Sequence, residues 1–417
     1  MTKLNNEQAQ ALAAIDSFLK SSAGNFFVLS GSAGTGKTFC IRELTNLTKG
    51  RFIFTAPTNK ATKVLRESVT QADYKPECRT IYSLLGLRLE ASGEIKELKA
   101  PEDPIDLSQY RAVIVDEGSM VNAQLFTHIQ TTADKYHIKF LFLGDAAQLP
   151  PVGEAASPIW KLPVGSKLLK VMRHDNQILE LATRLREQVD RVAPTIKLAA
   201  SNNGEEGIWK LDGPAFMQRI LATASDFTRP NASKVIAWRN VEVDKFNKVI
   251  RNAIFDYPQL PWLVGDRVLF AGPARDLDDE PMASTDDEGE VTRVDEEWHA
   301  KYGSFKIYRI AITLDDNRSV IARVLHPESF GDYQRKLDEL SAIAKSNSRK
   351  WKDFWDFKDG FHQLKYAYAI TAHRAQGSTY DTAFVYWQDI LLNRNRQEAY
   401  RCLYVSCTRP KRCLILS

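Results

Sequence analysis

The segment from Gly31 to Thr38 reads GSAGTGKT and fits the pattern G-x-x-x-x-G-K-[ST], a spacing whose chemistry is the cradling of phosphates. Gly31, Ala33, Gly34, Thr35 and Gly36 would turn backbone N–H groups toward the anion, and the glycines let that backbone come close. Lys37 is spaced to reach the β- and γ-phosphates of a triphosphate, and Thr38 to ligate Mg²⁺. Further on, AVIVDEGSM ends an apolar run with Asp116 and Glu117. Alone, such a pair is more often a turn or a helix cap. Behind a phosphate loop it supplies a Mg²⁺ ligand in Asp116 and, in Glu117, a base for the attacking water, which implies hydrolysis and not binding alone. FLGDAAQLPPV adds Gln148, a neutral side chain suited to sensing the γ-phosphate, in what would otherwise be a turn closed by Pro150 and Pro151. The expected cofactors are ATP and Mg²⁺.

These residues need a scaffold that presents them together. NFFVLS, from Asn25, is a short β-forming run, and TFCIRELTNLTK behind the loop reads as a helix. Buried-strand candidates follow at RFIFTA (from Arg51), AVIVDE (from Ala112) and IKFLFLGD (from Ile138), with helical patterns between them. This alternation predicts an α/β fold with a parallel, doubly wound sheet. LGLRLEASGEIKEL, from Leu85 to Leu98, has the alternation of a β-hairpin inserted into that domain, turning around Ala91, Ser92 and Gly93. A second α/β region starts near Gln177, includes KVIAWRN, and resumes at YAYAIT before TAFVYW and CLILS. Between its halves lie short alternating strands of a small barrel, WLVGDRVLF, GEVTRVDEE, KIYRIAITLDD and RSVIARVLH, then a helical stretch from Asp332 to Lys352. The segment Arg275 to Glu297 carries 11 acidic and 2 basic residues and reads as a solvated surface loop.

Composition bounds the rest. A chain of 417 residues exceeds what one hydrophobic core normally serves, so two large domains with inserts are expected. No run approaches the roughly 18 apolar residues of a membrane span, and the first residues mix Lys3, Glu7, Asp16 and Lys20 with apolar positions, as in an amphipathic helix and unlike a signal peptide. Five cysteines without CxxC spacing read as reduced thiols of a cytoplasmic protein, in the host cytoplasm if the source is a phage. The net charge of +4 permits a polyanionic partner without demanding one.

With these motifs in order, the sequence resembles superfamily 1 helicases of the RecD-like and Dda-like branch, over nearly its whole length. LNNEQAQAL places Gln8 where the family has its adenine-reading Gln; TAPTNKA (Thr55 to Ala61) resembles motif Ia and RTIYSLL (Arg79 to Leu85) motif Ib. KVMRHDN supplies Arg173 at the motif IV arginine, TAHRAQGST (Thr371 to Thr379) resembles motif V, with Gln376 and Gly377 at its nucleotide side, and LYVSCTRP (Leu403 to Pro410) resembles motif VI. The resemblance implies that Arg173 and Arg409 reach the γ-phosphate, so that nucleotide draws two domains together. It also implies that Pro57, Thr58, Asn59, Lys60, Thr80, Tyr82, Thr371 and His373 hold a single DNA strand. Motif III as GDAAQLPPV and motif V with AQGS favour 5′ to 3′ movement, and WKDFWDFKDGFHQLK, from Trp351, resembles a tower that braces a pin. Three positions depart from the family pattern: Arg79 and Tyr82 in motif Ib where relatives often have His, Gly118 in motif II and Pro410 in motif VI. None removes a catalytic group.

The resemblance thus implies two RecA-like domains, 1A (1–85 and 99–176) and 2A (177–261 and 365–417), with ATP in their cleft. A pin hairpin 1B (86–98) would interrupt the first, and an SH3-like barrel with helical tower, 2B (262–364), the second. The expected partners are single-stranded and forked duplex DNA, with replication or recombination proteins as further candidates, no membrane, and a monomeric motor. Three rival readings differ in class. A translocase that strips proteins but unwinds weakly would be separated by a strand-separation assay, an RNA-directed helicase by the effect of 2′-hydroxyls on binding, and a DNA scaffold using ATP as a switch by its lack of need for the hydrolytic set Glu117, Arg173 and Arg409.

Overall fold

The computed structural model describes residues 4–22, 24–47, 51–70, 75–92, 95–100, 105–170, 177–192, 196 and 198–417. Arg173, expected to reach the γ-phosphate, lies outside the described residues. The chain divides into two compact units: Met1–Arg88 with Ala100–Leu211 and Ala375–Ser417, and Leu89–Lys99 with Asp212–Arg374. These units are compact bodies and follow other boundaries than the motor domains expected above: segments 177–211 and 375–417 belong to the first unit.

The first strands in chain order are β1 (Phe26–Gly31), β2 (Arg51–Ala56), β3 (Glu77–Thr80), β4 (Arg88–Ser92), β5 (Ile95–Lys99), β6 (Tyr110–Val115), β7 (Lys139–Gly144) and β8 (Val164–Leu168), all in the first unit except the hairpin β4–β5, which belongs from Leu89 on to the second. Six of them form one sheet in the order β3-β2-β6-β7-β1-β8, with every neighbouring pair parallel. The apolar runs read from the sequence are its centre: β1, β2, β6 and β7 are buried at nearly every position, as a sheet covered on both faces requires. Helix Asn6–Lys20 covers part of one face by burying Ala11, Leu12 and Ile15 in a core with Leu29, Ile41, Phe54, Leu65 and Leu141. Each such large side chain contributes roughly 1.5–3 kcal/mol relative to exposure. Because β6, β7 and β1 are neighbours, the loops that leave their carboxyl ends lie side by side, where ligands of open α/β sheets bind.

The same unit holds strands Tyr380–Val385 and Gly207–Lys210, each parallel to Pro410–Leu416, and helix Arg396–Cys407 packs on helix Gln177–Arg191. None of the five cysteines is in a disulfide; four are buried and Cys413, whose thiol donates to the Glu205 carbonyl at 3.3 Å, is partly open.

In the second unit, Ser233–Ala237 runs parallel to Ala369–Thr371. An antiparallel sheet follows, Arg267–Phe270, Glu288–Trp298, Lys306–Leu314, Ser319–Leu325 and Leu364–Tyr366, around Val268, Phe270, Val291, Ile310 and Ile312. Helices Phe330–Ser346 and Trp351–Asp359 pack on one another. The acidic segment is not all loop. From Glu288 on it is strand Glu288–Trp298, and Glu288 is buried against Lys234 at 2.9 Å and Arg267 at 3.8 Å. Strands β4 and β5 form a two-stranded sheet; the turn after Ser92 lies outside the described residues.

Candidate nucleotide site

Strand β1 delivers Gly31, and the chain then turns through Gly34 (φ +79°) and Gly36 (φ +81°), conformations that side-chain-bearing residues rarely adopt. A Cβ on Gly36 would stand 2.6 Å from Nε2 of Gln8. Gln8 serves two ends at once. Its Oε1 accepts the N–H of Asn5, completing a capping box at the start of helix Asn6–Lys20, and its Nε2 donates to the carbonyl of Thr35 at 3.2 Å. The expected adenine-side glutamine thus fastens the phosphate loop to the first helix.

Helix Lys37–Leu47 begins at the end of the loop. Lys37 Nζ donates to the carbonyls of Gly31 and Ser32 at 2.8 and 3.1 Å, which holds the ammonium over the loop. Thr38 Oγ1 donates to Asp116 Oδ2 at 3.5 Å. A hydroxyl and a carboxylate converging in this way form an all-oxygen donor pair, the kind that suits Mg²⁺. Asp116 leaves β6, and its Oδ1 accepts the N–H of Glu117 at 2.8 Å. Burial pushes the Asp116 carboxyl up, opposed by that N–H, by Lys37 and by Thr38.

Glu117 sits in the left-handed region, φ 50° and ψ 39°. A non-glycine residue held there is worth notice beside a reacting group. Burial, and after it the Asp116 charge, push its carboxyl up to about 7, while Arg409 and Lys37 pull it back. A carboxyl near neutrality is poised to take a proton from water. The Arg409 guanidinium is fixed by the carbonyls of Val405 (2.9 Å) and Ser378 (3.0 Å). Gln148 follows β7, and its Oε1 accepts Gln376 Nε2 at 3.2 Å. Gly377, with φ +74°, would bring a Cβ to 3.1 Å from Cβ of Ala61.

The other expected contacts are spread more widely. Thr58 and Thr80 cap helices, accepting the N–H of Ala61 and of Ser83. Pro57 is buried, Asn59 and Tyr82 are half-buried, and Lys60 Nζ donates to the Tyr380 hydroxyl at 2.9 Å. Thr371 and His373 belong to the second unit. There Thr371 Oγ1 accepts the N–H of Arg374.

Sequence reasoning missed several residues at this site. Tyr404 Oη accepts the N–H of Ala33 at 3.2 Å and donates to Asp145 Oδ2 at 2.5 Å. Arg186 Nε reaches Asp145 Oδ1 at 3.2 Å, and Arg401 donates to the Gln148 carbonyl at 2.8 Å. Only their place in LYVSCTRP or beside it could have singled out Tyr404 and Arg401. No local pattern marks Arg186.

Residues 3–204 match the AAA domain family and residues 366–417 the UvrD-like helicase C-terminal domain family. The ATP-dependent DNA helicase Dda of Enterobacteria phage T4 is 26% identical over 424 residues, covering 92% of this chain and 92% of the relative. Among solved structures, Pif1 helicases studied for DNA unwinding at forked dsDNA share the fold with a TM-score of 0.53 at 17% identity, over 100% of this chain and 92% of that one. Bacteroides Pif1 in complex with ADP-AlF3 and ssDNA gives 0.50 at 16% identity, again over 100% and 92%. With the phosphate loop, the acidic pair and the arginine of LYVSCTRP assembled in one unit, these likenesses identify the chain as a superfamily 1 helicase of the Dda and Pif1 type, an ATP-hydrolysing DNA helicase.

Proposed function

We propose that the protein moves 5′ to 3′ along single-stranded DNA and opens duplex ahead of it, driven by ATP hydrolysis at the site built on Lys37, Thr38, Asp116 and Glu117. The observation that carries the hydrolytic half is the buried Glu117 carboxyl, raised by burial and by Asp116 and drawn back by the charge of Arg409, which puts a base for water and a cation for the γ-phosphate in one compact unit. Thr38 and Asp116 would hold Mg²⁺, and the ion supplies charge neutralisation on the phosphates when bound. Glu117 orients and deprotonates the water, Lys37 and the loop amides hold the phosphates, and Arg409 and Arg173 answer the charge that develops.

The directional half rests on the motif text GDAAQLPPV and AQGS and on the likeness to Dda. DNA would be held by Pro57, Thr58, Asn59, Lys60, Thr80 and Tyr82 in one region and by Thr371 and His373 in another, with the β4–β5 hairpin as the wedge. The assignment of RecA-like halves 1A (1–85 and 99–176) and 2A (177–261 and 365–417), pin (86–98) and barrel with tower (262–364) belongs to this reading. The hairpin residues Leu89–Lys99 group with the barrel and its helices in the second unit, which favours a braced wedge. The deciding experiment offers forked duplexes bearing only a 5′ or only a 3′ single-stranded tail. Strand separation from the 5′ tail alone is expected. Separation from the 3′ tail alone would reverse the polarity, and ATP hydrolysis without separation on either would leave a translocase.

A further inference from the structure

Within the phosphate loop, the amide of Ala33 donates to the phenol of Tyr404, 371 positions along the chain. That phenol in turn donates to Asp145, which is completely buried. Asp145 is the hub of the loop after β7. Its Oδ1 accepts the N–H of Ala147 and the guanidinium of Arg186, its carbonyl accepts Ser119 Oγ and the N–H of Gln148, and Gln148 is held by Gln376 and Arg401. Burial and the Asp145 charge keep the phenol protonated, so its oxygen is a lone-pair acceptor toward Ala33 and its proton is committed to Asp145.

An amide in this loop is also where a triphosphate oxygen would bind. Phenol and phosphate are then rival acceptors for one N–H. We propose that Tyr404 is a positioning residue for nucleotide: its hydroxyl competes with a phosphate oxygen for the Ala33 amide, and the exchange passes nucleotide arrival to Asp145, Arg186 and Gln148. Phosphate wins because it is ionised and accepts a charge-assisted bond, whereas the phenol is neutral and holds the amide at 3.2 Å. The released phenol keeps its bond to Asp145. The bond to the carboxylate also polarises the phenol, which strengthens it as an acceptor and makes the competition sensitive to the charge at Asp145. This inference rests on Gly31–Thr38 binding the phosphates.

The competition makes a prediction of unusual sign. Tyr404→Phe keeps the ring and removes the rival oxygen, so it should bind ADP and a non-hydrolysable ATP analogue roughly 2- to 10-fold more tightly, the worth of one neutral hydrogen bond. The measurement is an equilibrium titration of the full chain with a fluorescent nucleotide, without DNA. A residue that merely supported packing would weaken binding when cut back, so unchanged or weaker affinity overturns the proposal. Should Tyr404→Phe fail to fold, Asp145→Asn carries the test. It leaves the phenol in place with a weaker partner and should tighten binding by a smaller factor, and unchanged or weaker affinity there overturns the proposal equally. Lys37→Ala separates the two levels of the argument: it should lose affinity, and wild-type binding in that variant would overturn the phosphate-loop reading and this proposal with it.

Discussion

Asp266 is a buried charge of the second unit, and removing it should destabilise that unit severely. The side chain is completely buried. Its two oxygens accept four donors: Arg251 Nε at 2.8 Å and NH2 at 2.9 Å, the N–H of Leu263 at 2.8 Å and the Tyr368 hydroxyl at 2.9 Å. These donors tie helix Asn240–Phe255, the entry to the antiparallel sheet and the segment just before strand Ala369–Thr371. Asp266→Ala would strand the Arg251 guanidinium, which is itself buried, and such loss of one partner costs about 3–5 kcal/mol. In a unit of this size each kcal/mol moves Tm by about 2–4 °C, giving a fall of about 6–20 °C. Calorimetry should resolve this transition, and urea unfolding followed by tryptophan fluorescence gives the free energy. Tyr368→Phe, which removes one donor of the four, should cost only about 1 kcal/mol. A loss below about 1 kcal/mol for Asp266→Ala, the size of an exposed ion pair, would refute the reasoning.

Glu117→Gln should bind ATP and DNA yet hydrolyse ATP at least about 100-fold more slowly, the scale of a lost general base; lost binding with retained turnover in steady-state assays would assign the role elsewhere. His362 accepts the Arg323 N–H at Nδ1 and lies 3.0 Å from the Arg275 carbonyl at Nε2, and burial, then Arg323, lowers its pKa from 6.5 to about 4. The unfolded chain therefore takes up its proton first, so this histidine's contribution is complete above pH 6.5 and falls by about 3 kcal/mol as pH drops to 4. Urea midpoints across that range should fall less steeply in His362→Gln, and identical slopes would count against it. Trp355, which packs edge-on against Phe354 and under Lys358, should on replacement by Ala weaken duplex unwinding more than DNA-stimulated ATP hydrolysis. An equal fall in both would make it a support of the whole motor.

The parallel sheet was legible because its strands are short apolar runs with no alternation, a pattern that parallel packing alone explains well. The phosphate loop and the acidic pair were legible because their spacing is local chemistry. The links between them were not. Tyr404 and Asp145 stand 259 positions apart, and Gln376 and Gln148 228; no local periodicity encodes a partner at such a distance. Gln8 was legible as a family position, yet its capping bond to Asn5 was also written in N-x-x-Q and went unread. The strand Glu288–Trp298 was half legible. Its charges imitate a loop, and what makes it a strand is pairing with Lys306–Leu314 and the burial of Glu288 on Lys234 and Arg267.

The distribution of the thiols has a practical side. A maleimide dye attacks as fast as the thiolate is available, and burial pushes Cys40 and Cys407 up to about 12 and raises Cys78 and Cys402 as well. Cys413, on strand Pro410–Leu416, is the one cysteine with an open face. The natural chain is thus in effect a single-cysteine protein. A fluorophore can be placed a few residues beyond Arg409 without altering one residue, so the strand that follows the arginine can be watched turnover by turnover in the unmodified sequence.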